Sequence, residues 1–241
     1  MADIQTAHGF RTHVSQKRYS VMRQPVVETK SKKVLHHEWL VRFDSKTGLE
    51  RVLRPAEISG AISDLDLSML LQAVEKINEK SNNVPIAINL SGASFSDPDF
   101  EHALFDILAK LELDASNLIF ELTETWHLKD LQPAIRLLNI LRDRGHSLCL
   151  DDVGAGAASI RYLRAFPADW LKIDGAFVAG AAINDREKSV LKAIMGLKDD
   201  LGVRFIGEGI ESQRLHDFAI EMGFDAIQGY IIGAPELEIS S

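Results

Sequence analysis

The chain has 241 residues, 46% apolar and 26% charged, with a formal net charge of −8. These are ordinary values for a globular protein able to bury a full core, and the acidic balance argues against a nucleic-acid polymer as partner while leaving room for a small phosphorylated ligand held by local cations. No apolar run approaches the roughly 18 residues of a membrane span, the N-terminus lacks the apolar core of a signal peptide, and the lone Cys149 forbids an internal disulfide, so a cytoplasmic setting is expected, with any anchor or sensor belonging to a longer parent protein.

Residues 1–17 are polar and aperiodic and read as a flexible lead-in, leaving 18–241 as one domain. The first strands are predicted at Tyr19–Val27 and Val34–Phe43, joined only by Glu28–Lys33. Parallel neighbours need a crossover of a dozen or more residues, so this pair should be an antiparallel hairpin. LDLSMLLQAVEKINEK then places Leu67, Leu70, Leu71 and Val74 on one helical face. Further strands are predicted at Val84–Leu90, Leu118–Leu122, Ser147–Asp151, Trp170–Ile173, Val203–Ile206 and Ala226–Ile231. The amphipathic stretches DFEHALFDILAKLE, LQPAIRLLNILRDRG, EKSVLKAIMGLKDDLG and QRLHDFAIEMG fall between them, with Gly145, Gly202 and Gly223 as helix-ending signals. Such alternation implies parallel strands with right-handed crossovers. The predicted fold is therefore α/β, a modified (β/α)8 TIM barrel with an antiparallel first strand. An open doubly wound sheet is the alternative, weakened because no GxGxxG or GxxxxGK[ST] loop follows the first strand.

Polar residues recur at the downstream ends of these strands: Glu38, Asn89, Glu121, Asp151, Asp152, Lys172, Glu208 and Gln228. A carboxylate at a strand exit costs desolvation unless it is paired. A series of them, one per strand, reads as a ring of oxygen ligands for hard divalent cations at the C-terminal mouth of a barrel. The tandem Asp151-Asp152 repels itself unless a cation lies between, and one of the two could bridge a metal pair; a helix cap or solvated turn is the plainer reading of the same dipeptide. Lys172, between Leu171 and Ile173, either forms a structural salt bridge to Asp174 or another carboxylate, or aims its ammonium at the reacting centre. Arg42 shares the strand face of Glu38 and could reach a phosphate. His36 and His37 are adjacent in a strand, so at most one points inward; both are read as structural.

The segments EWLVR, NLS, ELTE, DDVGAG, LKID, GEGIE and QGY occur in that order, one per strand. In this the chain resembles the EAL-domain family of cyclic di-GMP phosphodiesterases, over about residues 19–235. The resemblance implies hydrolysis of one phosphodiester bond of cyclic di-GMP to linear pGpG with two Mg²⁺ or Mn²⁺ ions. It implies Glu38, Asn89, Glu121 and Asp151 on one metal, Asp151 bridging to the second, and Asp152 and Glu208 nearby. It assigns Lys172 to holding the attacking water, Glu208 to metal binding or base catalysis, and Arg42 and Gln228 to the nucleotide. Glu124, Asp174 and Glu211 would support the loops, and a homodimer would form through the loop side of the barrel. Two departures stand out. Trp39 replaces the Ala of the namesake motif, on the strand face turned away from the metals. DDVGAGAAS stands where the family has DDFGTGYSS, so Val153, Ala155 and Ala157 are smaller than usual in a loop that couples dimerisation to metal and substrate binding. Lower or partner-dependent activity is expected from that loop, and a catalytically silent cyclic di-GMP receptor is the alternative function. A scaffold acting by protein contact alone ranks last, because buried carboxylates without cations are costly.

Overall fold

A computed structural model describes residues 3–44, 48–79, 84–122, 131–154 and 159–238, with side chains except at 159–161. The strands, in chain order, are β1 Ser20–Glu28, β2 Val34–Arg42, β3 Ile86–Leu90, β4 Leu118–Leu122, β5 Ser147–Val153, β6 Trp170–Ile173, β7 Arg204–Gly207, β8 Ala226–Ile227 and β9 Glu236–Leu237. The helices are α1 Ala7–Ser15, α2 Leu49–Ile58, α3 Ile62–Asn78, α4 Phe100–Leu108, α5 Gln132–Asp143, α6 Ser159–Ala165, α7 Gly175–Ala181, α8 Asp185–Met195, α9 Lys198–Leu201 and α10 Gln213–Met222.

β1 and β2 form the expected antiparallel hairpin, with Gln24 opposite Glu38 and Val26 opposite His36. From β2 to β8 each strand pairs in parallel with the next. β1 closes the barrel by pairing antiparallel with β8 at Val27–Glu28, and higher up the same edge β9 covers Met22–Arg23. The fold is thus the modified barrel read from the alternation of elements.

Side chains alternate across each strand, so residues two apart stack on one face. The interior therefore has layers. A lower layer holds Val26, Ala87, Ile119, Cys149, Trp170, Ile206 and Ala226, packed together as one apolar cluster. The Arg204 guanidinium lies 3.8 Å above the Trp170 ring and closes the floor. Two residues further along these strands lies the polar layer described below. The opposite strand faces carry Leu90, Leu118, Phe120 and Phe205 into the larger core under the helices.

Several predicted details change. Residues 1–17 are not simply a loose lead-in: α1 is a helix, capped by Thr6 accepting from the Gly9 amide, with Phe10 and Val14 in the core. Phe10 packs 5.7 Å from Phe43 and Arg11 pairs with Asp64, which ties α1 to the barrel wall. On α3 the buried face runs through Leu65, Met69, Leu70, Ala73, Val74 and Ile77, while Leu67 and Leu71 flank it half-buried. β5 extends to Val153 and β8 ends at Ile227. Gly202 and Gly223 end α9 and α10 in the left-handed conformation expected of them. No helix among the described residues is long and apolar enough to cross a membrane.

Candidate active site

The polar layer converges on one buried ammonium. Lys172 Nζ lies 3.2 Å from Glu38 Oε2, 3.0 Å from Glu121 Oε2, 3.1 Å from Asp151 Oδ1 and 2.9 Å from Glu208 Oε1. Lys172 is 1% exposed and Glu121 0%. Four strands, β2, β4, β5 and β7, thus bring a carboxylate to the lysine of β6, Glu208 from just past its strand end. The alternative partner, Asp174, faces elsewhere: its Oδ1 accepts the Phe177 amide and caps α7.

Glu38 is the best-held acid. Asn89 Nδ2 donates to its Oε1 at 3.0 Å, and Gln228 Nε2 to its Oε2 at 2.7 Å. Gln228 Nε2 also reaches Gln24 Oε1 at 3.3 Å, and Gln24 Nε2 donates to the Gly233 carbonyl. Gln24 was missed in the sequence, although its signal was present. It stands two residues before the inward Val26 and opposite Glu38 in the hairpin, so its amide had to point into the barrel.

Adjacent strand residues face opposite sides, yet Asp151 and Asp152 reach the same site. The register of β5 against β6 shifts between Leu150 and Val153, and Asp152 adopts φ 56°. This is a bulge whose extra residue occupies left-handed backbone, uncommon for a side chain other than Asn or Asp. Asp151 Oδ1 accepts the Asp152 amide at 2.8 Å. The result is two oxygen clusters, Glu38–Glu121–Asp151 and Asp151–Asp152–Glu208, each with donor atoms within 4.8 Å of one another, and they share Asp151.

These clusters set five carboxylates against one ammonium. Burial raises the Glu121 carboxyl well above its ordinary range, and Glu38 and Asp151 add to this despite the pull of Lys172. Burial likewise raises Asp151 and takes Glu208 to about 8. For Glu38 burial acts the same way, but Lys172 and the two amides outweigh it and hold the group low. Lys172 is pushed up by its carboxylates against the effect of its own burial. Without cations, protons must share the site. The donors facing the mouth are oxygens, the set that suits hard divalent cations.

Two cavities, of about 710 and 300 Å³, meet over the carboxylates and share Glu38, Leu40, Arg42 and Asp151. The larger runs beneath α2 and α3 past Leu53, Ile62 and Met69 to Glu57 and Asp66. Glu57 accepts the Ser91 hydroxyl, and Asp66 accepts the Ser91 amide and the Ser94 hydroxyl. Burial raises both acids, Asp66 to about 7. Neither stood out in the sequence, where each looked like an ordinary polar helix residue. The smaller cavity is walled by Gln24, Gln228, Glu211 and Tyr230. Arg42 lies exposed at the rim, with Nη1 on the Val41 carbonyl. Trp39 is buried in the core under the helices and turned from the carboxylates. His36 is inside the barrel and His37 is half-buried on the other face. Burial lowers His36 to about 3, so its 3.9 Å approach to Glu121 is that of a neutral imidazole and not an ion pair.

The sequence profile of the EAL domain matches residues 5–235. The chain belongs to the EAL domain family. Relatives of this EAL domain include the cyclic di-GMP phosphodiesterase PdeB of Shewanella oneidensis, 31% identical over 83% of this chain and 24% of PdeB. Another is the cyclic di-GMP phosphodiesterase PdeF of Escherichia coli, 29% identical over 90% of this chain and 30% of PdeF. The chain therefore spans a minor part of the length of these relatives. Among solved structures, the cyclic di-GMP complex of the PaMucR phosphodiesterase is 26% identical, with a TM-score of 0.82 over 95% of this chain and 96% of that one. Of the residues expected in this EAL site, Glu38, Asn89, Glu121, Asp151, Asp152, Lys172, Glu208 and Gln228 come together around the lysine. Arg42 and Glu211 line the mouth, and Asp174 serves as a cap. Glu124, Ala155 and Ala157 lie outside the described residues.

Proposed function

We propose that this domain hydrolyses cyclic di-GMP to linear pGpG with the help of two divalent cations, Mg²⁺ or Mn²⁺. The observation that carries the reading is the pair of oxygen clusters joined through Asp151 around the buried Lys172. Glu38, Asn89, Glu121 and Asp151 would hold one cation, and Asp151, Asp152 and Glu208 the other. Bound there, the cations would lower the pKa of a coordinated water and neutralise charge developing on the phosphoryl oxygens.

The rest is the work of this chain's own residues. The two cavities suit a ligand with a bulky group on either side of a central phosphodiester. Guanine offers N1–H and N2–H₂ as donors, and Glu57 and Asp66 supply acceptors at the wall of the larger cavity. Arg42 at the rim binds a phosphate oxygen. Gln24 and Gln228 keep Glu38 oriented and present amides to the smaller cavity. Lys172 sits as a positive charge among the four carboxylates and turns one of its three N–H donors to the attacking water. Glu208, at the open edge of the second oxygen cluster, takes a proton from that water as the P–O bond forms. The leaving ribose oxygen departs from phosphorus and picks up a proton from solvent. The reading places the domain in the cytoplasm, as a homodimer and as one module of a longer signalling protein.

Incubation with cyclic di-GMP and Mn²⁺ or Mg²⁺ is expected to release pGpG, and Glu38→Ala to abolish it. Turnover retained by Glu38→Ala overturns the mechanism. Tight binding of intact nucleotide without turnover in either metal selects a receptor instead.

A further inference from the structure

We propose that His36 is a positioning residue for this site: its imidazole donates Nε2–H to Glu121 Oε1 and holds that carboxylate in its cation-binding orientation. The inference rests on the two-cation reading above.

His36 occupies the lower layer of the barrel, where its inward neighbours are Val26, Ala87, Ile119, Cys149, Trp170, Ile206 and Ala226. Its Nε2 faces up from that apolar floor toward the Glu121 carboxylate. His36 is 2% exposed and Glu121 0%, and Nε2 stands 3.9 Å from Oε1. Among the described residues neither atom has a hydrogen-bond partner. Buried polar atoms rarely go unpaired, and two that face each other in a dry layer answer each other's need. The remaining gap closes with about 1 Å of side-chain movement. Ala87 makes this approach possible. It lies on β3, between the strands of His36 and Glu121, and its methyl group leaves the path open. The other oxygen of Glu121 is already taken from above by Lys172 at 3.0 Å. Glu121 is thus gripped at both oxygens, one by the lysine at the site and one by the imidazole beneath. Partners of this kind fix the orientation of a ligating carboxylate and its affinity for the ion.

The test is calorimetric titration of Mn²⁺ into metal-free protein. His36→Leu is expected to weaken Mn²⁺ binding by about 10–100-fold. His36→Gln, whose amide nitrogen reaches to where Nε2 lies, should stay within about threefold of the parent. Cyclic di-GMP affinity in EDTA should change by less than about twofold in both, a readout that general damage to the barrel would move. In a Glu121→Gln background, His36→Leu should have no further effect on Mn²⁺. The inference is overturned if His36→Leu binds Mn²⁺ like the parent, or if Gln loses as much as Leu. If His36→Leu does not fold, the comparison moves to His36→Gln against His36→Asn, whose shorter amide should fail where Gln succeeds. A parent protein that takes up no Mn²⁺ removes the two-cation reading itself, which separates that failure from this one.

Discussion

Two layers of one barrel interior, two residues apart on the same strands, have opposite chemistry. The lower is sealed by Ile119, Cys149, Trp170 and Ile206; the upper gathers Glu121, Asp151, Lys172 and Glu208. Each lower residue precedes its upper counterpart by one full strand repeat. The strands therefore need no special backbone to carry both layers, except on β5, where the bulge at Asp152 adds a carboxylate. The contrast separates stability from function. Apolar burial in the lower layer favours folding at roughly 25 cal/mol per Å². The upper layer buries more negative charge than its lysine can neutralise, which opposes folding until cations or protons arrive.

Removing the centre of the upper layer should break the contrast most sharply. Lys172→Met leaves the carboxylates facing one another and should destabilise the cation-free protein by about 3–5 kcal/mol. Saturating Mn²⁺ should recover much of that loss, because divalent charge replaces the ammonium. Urea unfolding with and without Mn²⁺ checks this, and equal losses in both conditions would count against cation binding in this layer. Trp170→Ala, in the lower layer, should cost a similar or slightly smaller amount, about 3 kcal/mol or more. There Mn²⁺ should recover no more than it gives the parent, since a cavity among apolar groups has no charge to neutralise.

Both layers were largely legible in the sequence because strand alternation has a fixed period. Glu121, Asp151 and Lys172 each follow an apolar residue that must face the helices, so their inward direction was forced, and Glu38 has that direction fixed from its other side by the apolar Trp39. What escaped detection depended on contacts that have no period. The shared orientation of Asp151 and Asp152 requires a bulge, which arises from the register against β6. Glu57 and Asp66 sit on α2 and α3, where polar residues are common, and only the packing of α3 on β3 and of α2 on α3 turns them toward a cavity. α1 has just Phe10 and Val14 as an apolar pair, too little for a periodic signal in so short a helix. Its helix is held by tertiary packing against Phe43.

The bulge offers a smaller test of how strain and charge divide at the site. Asp152→Gly removes both a left-handed non-glycine residue and one carboxylate, so the cation-free protein should gain about 1 kcal/mol while turnover falls. Asp152→Asn keeps tolerance of that backbone and should lose turnover with less gain in stability. Equal gains for Gly and Asn would assign the effect to charge alone. Thermal unfolding in EDTA, alongside a pGpG assay, reads both quantities.

Asp66 supplies the mildest and cleanest comparison, since it is a buried carboxylate set apart from the lysine-centred layer. Burial is the main cause of its raised pKa of about 7, with Glu57 adding to it, while Ser94 and the Ser91 amide act against the rise. The folded state therefore binds this proton more tightly than the unfolded chain, whose Asp titrates near 3.8. The stability tied to the proton is full below the unfolded value. It declines as pH rises toward 7, and is gone above it. Asn carries no proton to lose and can still accept from Ser91 and Ser94. Asp66→Asn should thus gain on the parent between pH 5 and pH 8, with the difference in Tm growing by roughly 2–6 °C over that range. A pH-independent difference would mean that Asp66 does not change its charge there. The acceptor offered to a guanine in the larger cavity would then be an ionised carboxylate throughout, and the nucleotide's affinity should not follow this group's titration.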